Sequence, residues 1–377
     1  MVQANPTWMR RNFDAQWILW LSLALVSAQE TAYCIPIKDD TSRIMQSHKV
    51  IVLPAAIHSP ETKWGFGTGG TVTFHLGKQD IRTRTSNFQA IGLYTLRHQT
   101  IVGLDGSVYF PGENYILRMH SSYTYFPDKY WGLGNRTDSH KAVALTYKQF
   151  YIFPQLLRRI YKDLYIGISL EYQRVFHFYY DRSNFYDYAN VEGLQGGNIP
   201  GAGALITWDS RNNAFSPTKG EFFEVSMTSF ENQPKDFDYS NYIFDFRKYI
   251  ETRRNEVVAF QIYFNFNKGS IPILSLASMG GHSLMRGYYS GRFRDKDLVA
   301  AQVEYRMHVW KRFGVVGFAG AGQVSNHLED LGINQFKVAI GAGLRVALKP
   351  QERLNLRLDY GVARNSQGFY LTVAEAF

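Results

Sequence analysis

The chain has 377 residues, a formal charge of +9, 27 Phe, 25 Tyr, 32 Gly and a single cysteine. One cysteine excludes an intrachain disulfide framework, and the basic residues are scattered with no stripe or recognition motif, which argues against nucleic acid as a partner despite the charge. Aromatic- and Gly-rich composition, with no apolar run beyond residue 28 long enough for a membrane helix, directs the reading to β structure.

At the N-terminus Arg10 and Arg11 precede an apolar run from Trp17 to Ala28 that ends in Val26-Ser27-Ala28, a small-residue cleavage site. This is the pattern of a secretory signal peptide over residues 1–28. Residues 29–48 read as a short periplasmic segment; Cys34 follows Thr31-Ala32-Tyr33 rather than a lipidation box and reads as a bystander thiol.

From Lys49 to Phe377 the chain falls into sixteen short alternating segments. They run over 49–58, 62–76, 86–96, 99–110, 114–126, 139–153, 163–178 and 199–209, then 219–231, 239–251, 255–266, 296–309, 313–324, 336–348, 353–363 and 367–377. In the fourth, Val102, Leu104, Val108 and Phe110 alternate with Gly103, Asp105, Ser107 and Tyr109. In the seventh, Ile166, Ile168, Leu170 and Tyr172 alternate with Gly167, Ser169, Glu171 and Gln173. A period of two with apolar side chains outward is the pattern of a transmembrane β-strand, and segments of ten to fifteen residues are longer than the usual strands of a soluble sandwich. The expected fold is all-β: a closed antiparallel transmembrane barrel of about sixteen strands.

An even strand number leaves both ends of the barrel in the periplasm, with short periplasmic turns and longer outer loops. Pro111–Glu113, Thr252–Arg254 and Trp310–Arg312 are short; Phe178–Asn198 and Asn267–Asp295 are long. The last of these is the longest and follows the eleventh segment, which places it on the outer side. Arginine and lysine pairs such as Arg158-Arg159, Arg253-Arg254 and Lys311-Arg312 read as turn residues.

The longest loop contains Gly280-Gly281-His282-Ser283-Leu284-Met285-Arg286-Gly287-Tyr288-Tyr289. With Val303-Glu304-Tyr305-Arg306, Arg357-Leu358-Asp359-Tyr360-Gly361, Trp208-Asp209-Ser210-Arg211 and the closing Gly368 to Phe377, it resembles the bacterial surface antigen family, the BamA/TamA-like assembly and translocation barrels. The likeness covers essentially all of the mature chain. It implies that the loop folds into the lumen and that its Arg-Gly-Tyr core, Arg286, Gly287 and Tyr288, locks against acidic and aromatic groups of the inner wall. Alternation puts Gln302, Glu304, Arg306 and His308 inward, which makes Glu304 a partner for Arg286; Asp359, between the outward Leu358 and Tyr360, is the second candidate. The family's Phe-x-Asp-x-Gly pattern reads here as Phe318-Ala319-Gly320-Ala321-Gly322, so that aspartate is missing and Gly320 leaves room for the loop tip. Residues 29–48 are too few for a POTRA domain, so the chain resembles a stand-alone member.

The chain closes with Phe369, Leu371, Val373 and Phe377 alternating with Tyr370, Thr372, Ala374 and Ala376. This resembles the C-terminal assembly signal of outer-membrane barrels, with the four larger residues toward lipid and Glu375 at the water interface.

Signals for catalysis are poor. Gly281-His282-Ser283-Leu284-Met285 starts like a nucleophile elbow and lacks its closing glycine. Gly201-Ala202-Gly203 and Gly341-Ala342-Gly343 lack the rest of a dinucleotide fingerprint and read as small lumen-facing residues. The histidines show no zinc spacing. No enzymatic activity, cofactor or metal is expected. The resemblance implies insertion or translocation of proteins or lipids at the outer membrane of a Gram-negative bacterium, through a lateral seam between first and last strands; Pro54 within the first strand either removes a donor from that edge or lies at a bulge. The alternatives are a passive pore or a structural barrel that docks a partner, and behind these a surface hydrolase. The expected partners are outer-membrane lipids and lipopolysaccharide, a separate periplasmic or lipoprotein partner, and client outer-membrane proteins.

Overall fold

The computed structural model describes residues 49–76, 83–180, 191–213, 215–231, 237–349 and 353–377. The expected signal peptide and the segment up to residue 48, including Cys34, lie outside the described residues. The barrel strands are β1 (Lys49–Ser59), β2 (Lys63–Phe74), β3 (Ser86–Thr95), β4 (Thr100–Tyr109), β5 (Tyr115–Tyr130), β6 (Val143–Tyr161), β7 (Leu164–Tyr180) and β8 (Gly197–Asp209). They continue with β9 (Gly220–Glu231), β10 (Asp238–Arg253), β11 (Glu256–Ser270), β14 (Asp297–Trp310), β15 (Phe313–Ser325), β16 (Lys337–Lys349), β17 (Leu354–Ala363) and β18 (Ser366–Val373). Each pairs antiparallel with its neighbour and β18 returns to β1, so the sixteen strands close. Closure pairs nearly all of the strand edges, the β1–β18 junction being the shortest ladder, as a sheet needs in a solvent without hydrogen bonds.

Alternation survives where the sequence shows it most clearly. Ile166, Ile168 and Leu170 are 49%, 62% and 60% exposed on the outer surface, while Tyr165, Gly167, Ser169 and Gln173 are buried. Val102 and Leu104 are exposed as expected, whereas Val108 is buried. Large apolar side chains left facing outward around the barrel, among them Ile206, Phe244, Ile262, Ile340 and Val362, form the lipid-facing belt.

One long strand differs clearly from its expected limits. β6 runs through Pro154 to Tyr161, so Arg158 and Arg159 lie in a strand and the turn comes at Lys162-Asp163. Proline has no N–H to give, and the ladder from β6 to β7 steps from Ile152↔Tyr172 to Gln155↔Ser169 without losing register, while Pro154 still pairs with Met119 of β5. A proline is thus tolerated where one neighbouring strand carries the ladder across it.

The longest loop joins β11 to β14 and carries a small hairpin, β12 (Ala277–Met279) with β13 (Phe293–Asp295). Met279, Met285, Tyr288 and Phe293 of this loop share one buried cluster with Leu298 and Ala300 of β14, Val324 of β15 and Ala339 of β16. The loop therefore fills the lumen, and its own apolar side chains hold it there, each fully buried one contributing on the order of 1.5–3 kcal/mol. A second cluster packs Ile273 at the loop's start against Tyr130, Val143 and Leu145 of β5 and β6.

Candidate functional site: the loop anchor and the seam

The tip of the loop is Arg286, 1% exposed, between two carboxylates that are fully buried. Its Nη1 donates to Asp359 Oδ2 at 2.5 Å and its Nη2 donates to Glu304 Oε1. The guanidinium lies over the ring of Phe318, 3.6 Å from the centroid, a cation–π contact in a desolvated setting. Glu304 comes from the inward face of β14 and Asp359 from that of β17, so one planar fork joins two strands and a loop.

The two carboxylates are themselves shared. Arg306 Nη2 lies 2.6 Å from Glu304 Oε2, Arg345 Nη1 lies 2.6 Å from Asp359 Oδ1, and Arg357 Nε lies 3.4 Å from Asp359 Oδ2. Arg345 Nε also reaches Glu375 Oε2 at 2.7 Å. Four arginines and three carboxylates thus form a continuous network in the lumen wall. Arg306 is inward by parity, yet nothing in the sequence assigns it, Arg345 or Arg357 a partner.

Small residues make the space. A Cβ on Gly361 would sit 2.7 Å from the Arg286 carbonyl and from the Gly287 nitrogen, and one on Gly343 would sit 2.0 Å from Asp359 Oδ1. A Cβ on Gly320 would meet Met285 Sδ at 3.0 Å, which agrees with the reading of that glycine as room for the loop tip. Gly287 has φ +114°, a left-handed conformation that favours glycine. Its N–H donates to the Tyr370 hydroxyl at 3.0 Å, and its carbonyl accepts from Ser366 Oγ at 2.6 Å. Tyr288 is buried, and its hydroxyl donates to the Val338 carbonyl at 3.3 Å. Tyr370 and Ser366 belong to β18, so the loop is fastened to the last strand. It also reaches the first turn: the Ser290 N–H donates to Glu61 Oε1 at 2.5 Å. Burial raises the pKa of Glu61 above the ordinary carboxylate value.

Between those two attachments lies the junction of β1 and β18. The ladder there has one pair, His58↔Leu371, whereas β1 pairs with β2 along its whole length from Lys49↔Thr73 to Ser59↔Lys63. His58 Nδ1 and the Phe369 carbonyl, 2.9 Å apart, add a side-chain link at the same level. Pro54 lies in the part of β1 without a β18 partner.

The last residues correct the expected end of the barrel. Phe369 and Val373 face outward and Leu371 is half-buried at the junction, but Ala374 has φ +68° and turns the chain into the lumen. Phe377 is therefore 6% exposed and packs with Tyr249 and Ala259 on the inner wall, and its carbonyl accepts from Arg306 Nη2 at 3.0 Å. Glu375, expected at the water interface, is buried between Arg345 and Asn355. A left-handed alanine costs on the order of 1–3 kcal/mol, and ion pairing at Glu375 together with aromatic burial at Phe377 offsets it. Alternation carries no sign of such a turn.

A closed sixteen-strand barrel with an apolar outer belt and an outer loop pinned inside the lumen defines an outer-membrane barrel of the kind found in Gram-negative bacteria. The chain belongs to the Omp85 superfamily, whose domain model matches residues 65–377. Its fold is similar to that of BamA from Haemophilus ducreyi lacking POTRA domains 1-3, with a TM-score of 0.56 and 13% identity over 94% of this chain and 78% of that one. It is also similar to CdiB from Acinetobacter baumannii, with a TM-score of 0.54 and 8% identity over 86% of this chain and 59% of that one. For CdiB from Escherichia coli the TM-score is 0.55 and the identity 9%, over 85% and 62% of the two chains. The chain thus spans about three fifths of the length of either CdiB. No curated protein matches it.

Proposed function

We propose that this barrel inserts or translocates proteins or lipids at the outer membrane by opening laterally between β1 and β18. The observation that carries the reading is the junction itself, a single ladder pair beside strands joined along their full length. Each further backbone pair across a strand junction removes two polar groups that would otherwise face lipid unpaired, so a short junction is the cheapest place for the wall to part. The inward turn at Ala374 takes the end of the chain away from β1 and leaves β1 residues free to pair with an incoming strand. The loop is tied to Tyr370 and Ser366 of β18 on one side and to Glu61 beside β1 on the other, and Arg286 anchors that loop to β14 and β17, so the loop bridges both edges of the seam. In this reading Arg286, Gly287, Tyr288, Glu304 and Asp359 are the lock, and a periplasmic or lipoprotein partner presents the client.

The test is a disulfide across the seam. Cysteines at positions 58 and 371, in a Cys34→Ser background, replace the one ladder pair with a covalent bond. In cells depleted of the native chain, the oxidised variant is expected to leave the outer membrane short of other barrels or with mislocalised lipid, and reduction should restore it. Normal outer-membrane proteome and lipid profiles with the seam locked would dismiss lateral opening and leave a passive pore or partner-docking barrel.

A further inference from the structure

The outer mouth of the barrel holds a cavity of about 1040 Å³ lined by the β1–β2 turn, the β5–β6 loop, the lumen loop, the start of β16 and the β17–β18 turn. We propose that it binds the phosphorylated sugar headgroup of an outer-leaflet glycolipid, held directly above the seam.

The first argument is charge. Lys63, Arg97, Lys129, Arg136, Arg292, Lys337 and Arg364 converge on the cavity, and Asp138 is the one carboxylate among its lining residues. None of these seven cations forms an ion pair among the described residues. That is unlike the arginines of the lumen, where Arg286, Arg306 and Arg345 each hold a carboxylate. Arg292 is fixed in place without being neutralised: it donates to Thr137 Oγ1 at 2.6 Å and to the Thr137 carbonyl at 2.8 Å, and its guanidinium lies over Phe293, 4.5 Å from the centroid. Burial lowers its pKa, as expected for a cation held with little counter-charge. Arg97 has a buried Nε with no hydrogen-bond partner. Clustered, pre-positioned guanidinium and ammonium groups without counter-ions are what a multiply charged phosphate ester recognises.

The second argument is shape and place. Trp131, Tyr288 and Phe293 add aromatic surface to the same wall, suited to the apolar face of a sugar ring. Pro60 and Lys63 lie on the β1 side of the junction, and Arg364, Ser366 and Gln367 lie on the β18 side. A headgroup bound here spans the two strand ends that pair least, with its acyl chains free to run down the outer wall. The assignment does not depend on the seam opening, and a barrel locked by the disulfide above should bind equally well.

The test uses the full chain in phosphatidylcholine nanodiscs, with bound lipid read by native mass spectrometry. The probes are lipid A, a disaccharide carrying two phosphates, its dephosphorylated counterpart, and inorganic pyrophosphate. Lipid A should be retained about tenfold or more better than the dephosphorylated form, and the combined Lys63→Gln, Arg136→Gln, Arg364→Gln variant should lose that preference. Heat-modifiable migration checks that the variant is folded. If it is not, Arg364→Gln alone, expected to weaken retention about threefold, carries the comparison. Equal retention of the two lipids, or an unchanged variant, would overturn the proposal. Pyrophosphate displacing lipid A at matching concentrations would assign the cavity to small free anions and overturn the glycolipid.

Discussion

The lumen and the outer mouth of this barrel are both rich in arginine, and they handle the charge in opposite ways. In the lumen, Arg286, Arg306, Arg345 and Arg357 are interleaved with Glu304, Asp359 and Glu375 at ion-pair distances and shut away from solvent. At the mouth, cations gather around an open cavity with one carboxylate among them. A buried charge must be matched or the fold suffers, whereas a cation exposed at the rim, such as Arg136 or Arg364, keeps its hydration and is free to meet a ligand. The first region consequently belongs to stability and register, and the second to recognition. The same residue type serves both because only its surroundings differ.

The largest effect should come from breaking the matched region. Removing the Arg286 head leaves Glu304 and Asp359 buried with one cation fewer, a change of the class that costs about 3–5 kcal/mol. Arg286→Met is expected to lower the unfolding midpoint of the purified barrel and to expose residues 281–292 to protease. Because Arg286 contacts both carboxylates, a charge swap with Glu304 alone cannot rebuild the site. The informative experiment is a double-mutant cycle of Arg286→Met with Glu304→Gln, for which a coupling of about 1–3 kcal/mol is expected. Strict additivity would mean that the two side chains do not act as a pair.

A smaller effect, without any change of charge, should follow from Gly361→Ala. The added methyl would stand 2.7 Å from backbone atoms of Arg286 and Gly287, which have no side-chain freedom with which to give way. Overpacking of this kind costs about 1–3 kcal/mol. Here it should be felt as displacement of the loop tip, with protease cleavage between residues 281 and 292 rising while the barrel itself stays folded. If cleavage is unchanged, the tip is held by the apolar cluster around Met279 and Met285 and the ion pairs are secondary.

Much of this was legible in the sequence because a membrane barrel writes itself in a period of two. The lipid face is apolar at every second residue, so strand positions and parity could be read without knowing any contact. Parity also put Glu304 and Asp359 inward. The pairings inside were not legible, since which inward side chains meet depends on strand stagger and barrel shear, which no single strand encodes. Arg345 and Glu375 are 30 positions apart and share a hydrogen bond at 2.7 Å. The inward turn at Ala374 was hidden for another reason: left-handed backbone is announced by Gly or Asn, and an alanine there looks like one more strand residue. The expected end of the sixth segment at residue 153 falls short, since β6 continues through Pro154 to Tyr161.

The smallest effect on stability should come from the mouth, and the contrast there is the sharper for it. Arg136 and Arg364 are exposed and hold no carboxylate among the described residues, so replacing both with Gln removes like-charge repulsion and breaks no ion pair. Surface changes of this kind fall within about 0.5 kcal/mol of neutral, and the unfolding midpoint in low salt should stay level or rise. In high salt, where a Debye length of about 3 Å at 1 M screens the cluster, variant and wild type should converge. A clear loss of stability would mean that these arginines are matched by groups that geometry does not reveal, and the division between a matched lumen and an unmatched mouth would fail. A level or raised midpoint would leave the mouth with a set of cations that folding does not need, and their convergence on one cavity would then have to be explained by what they bind.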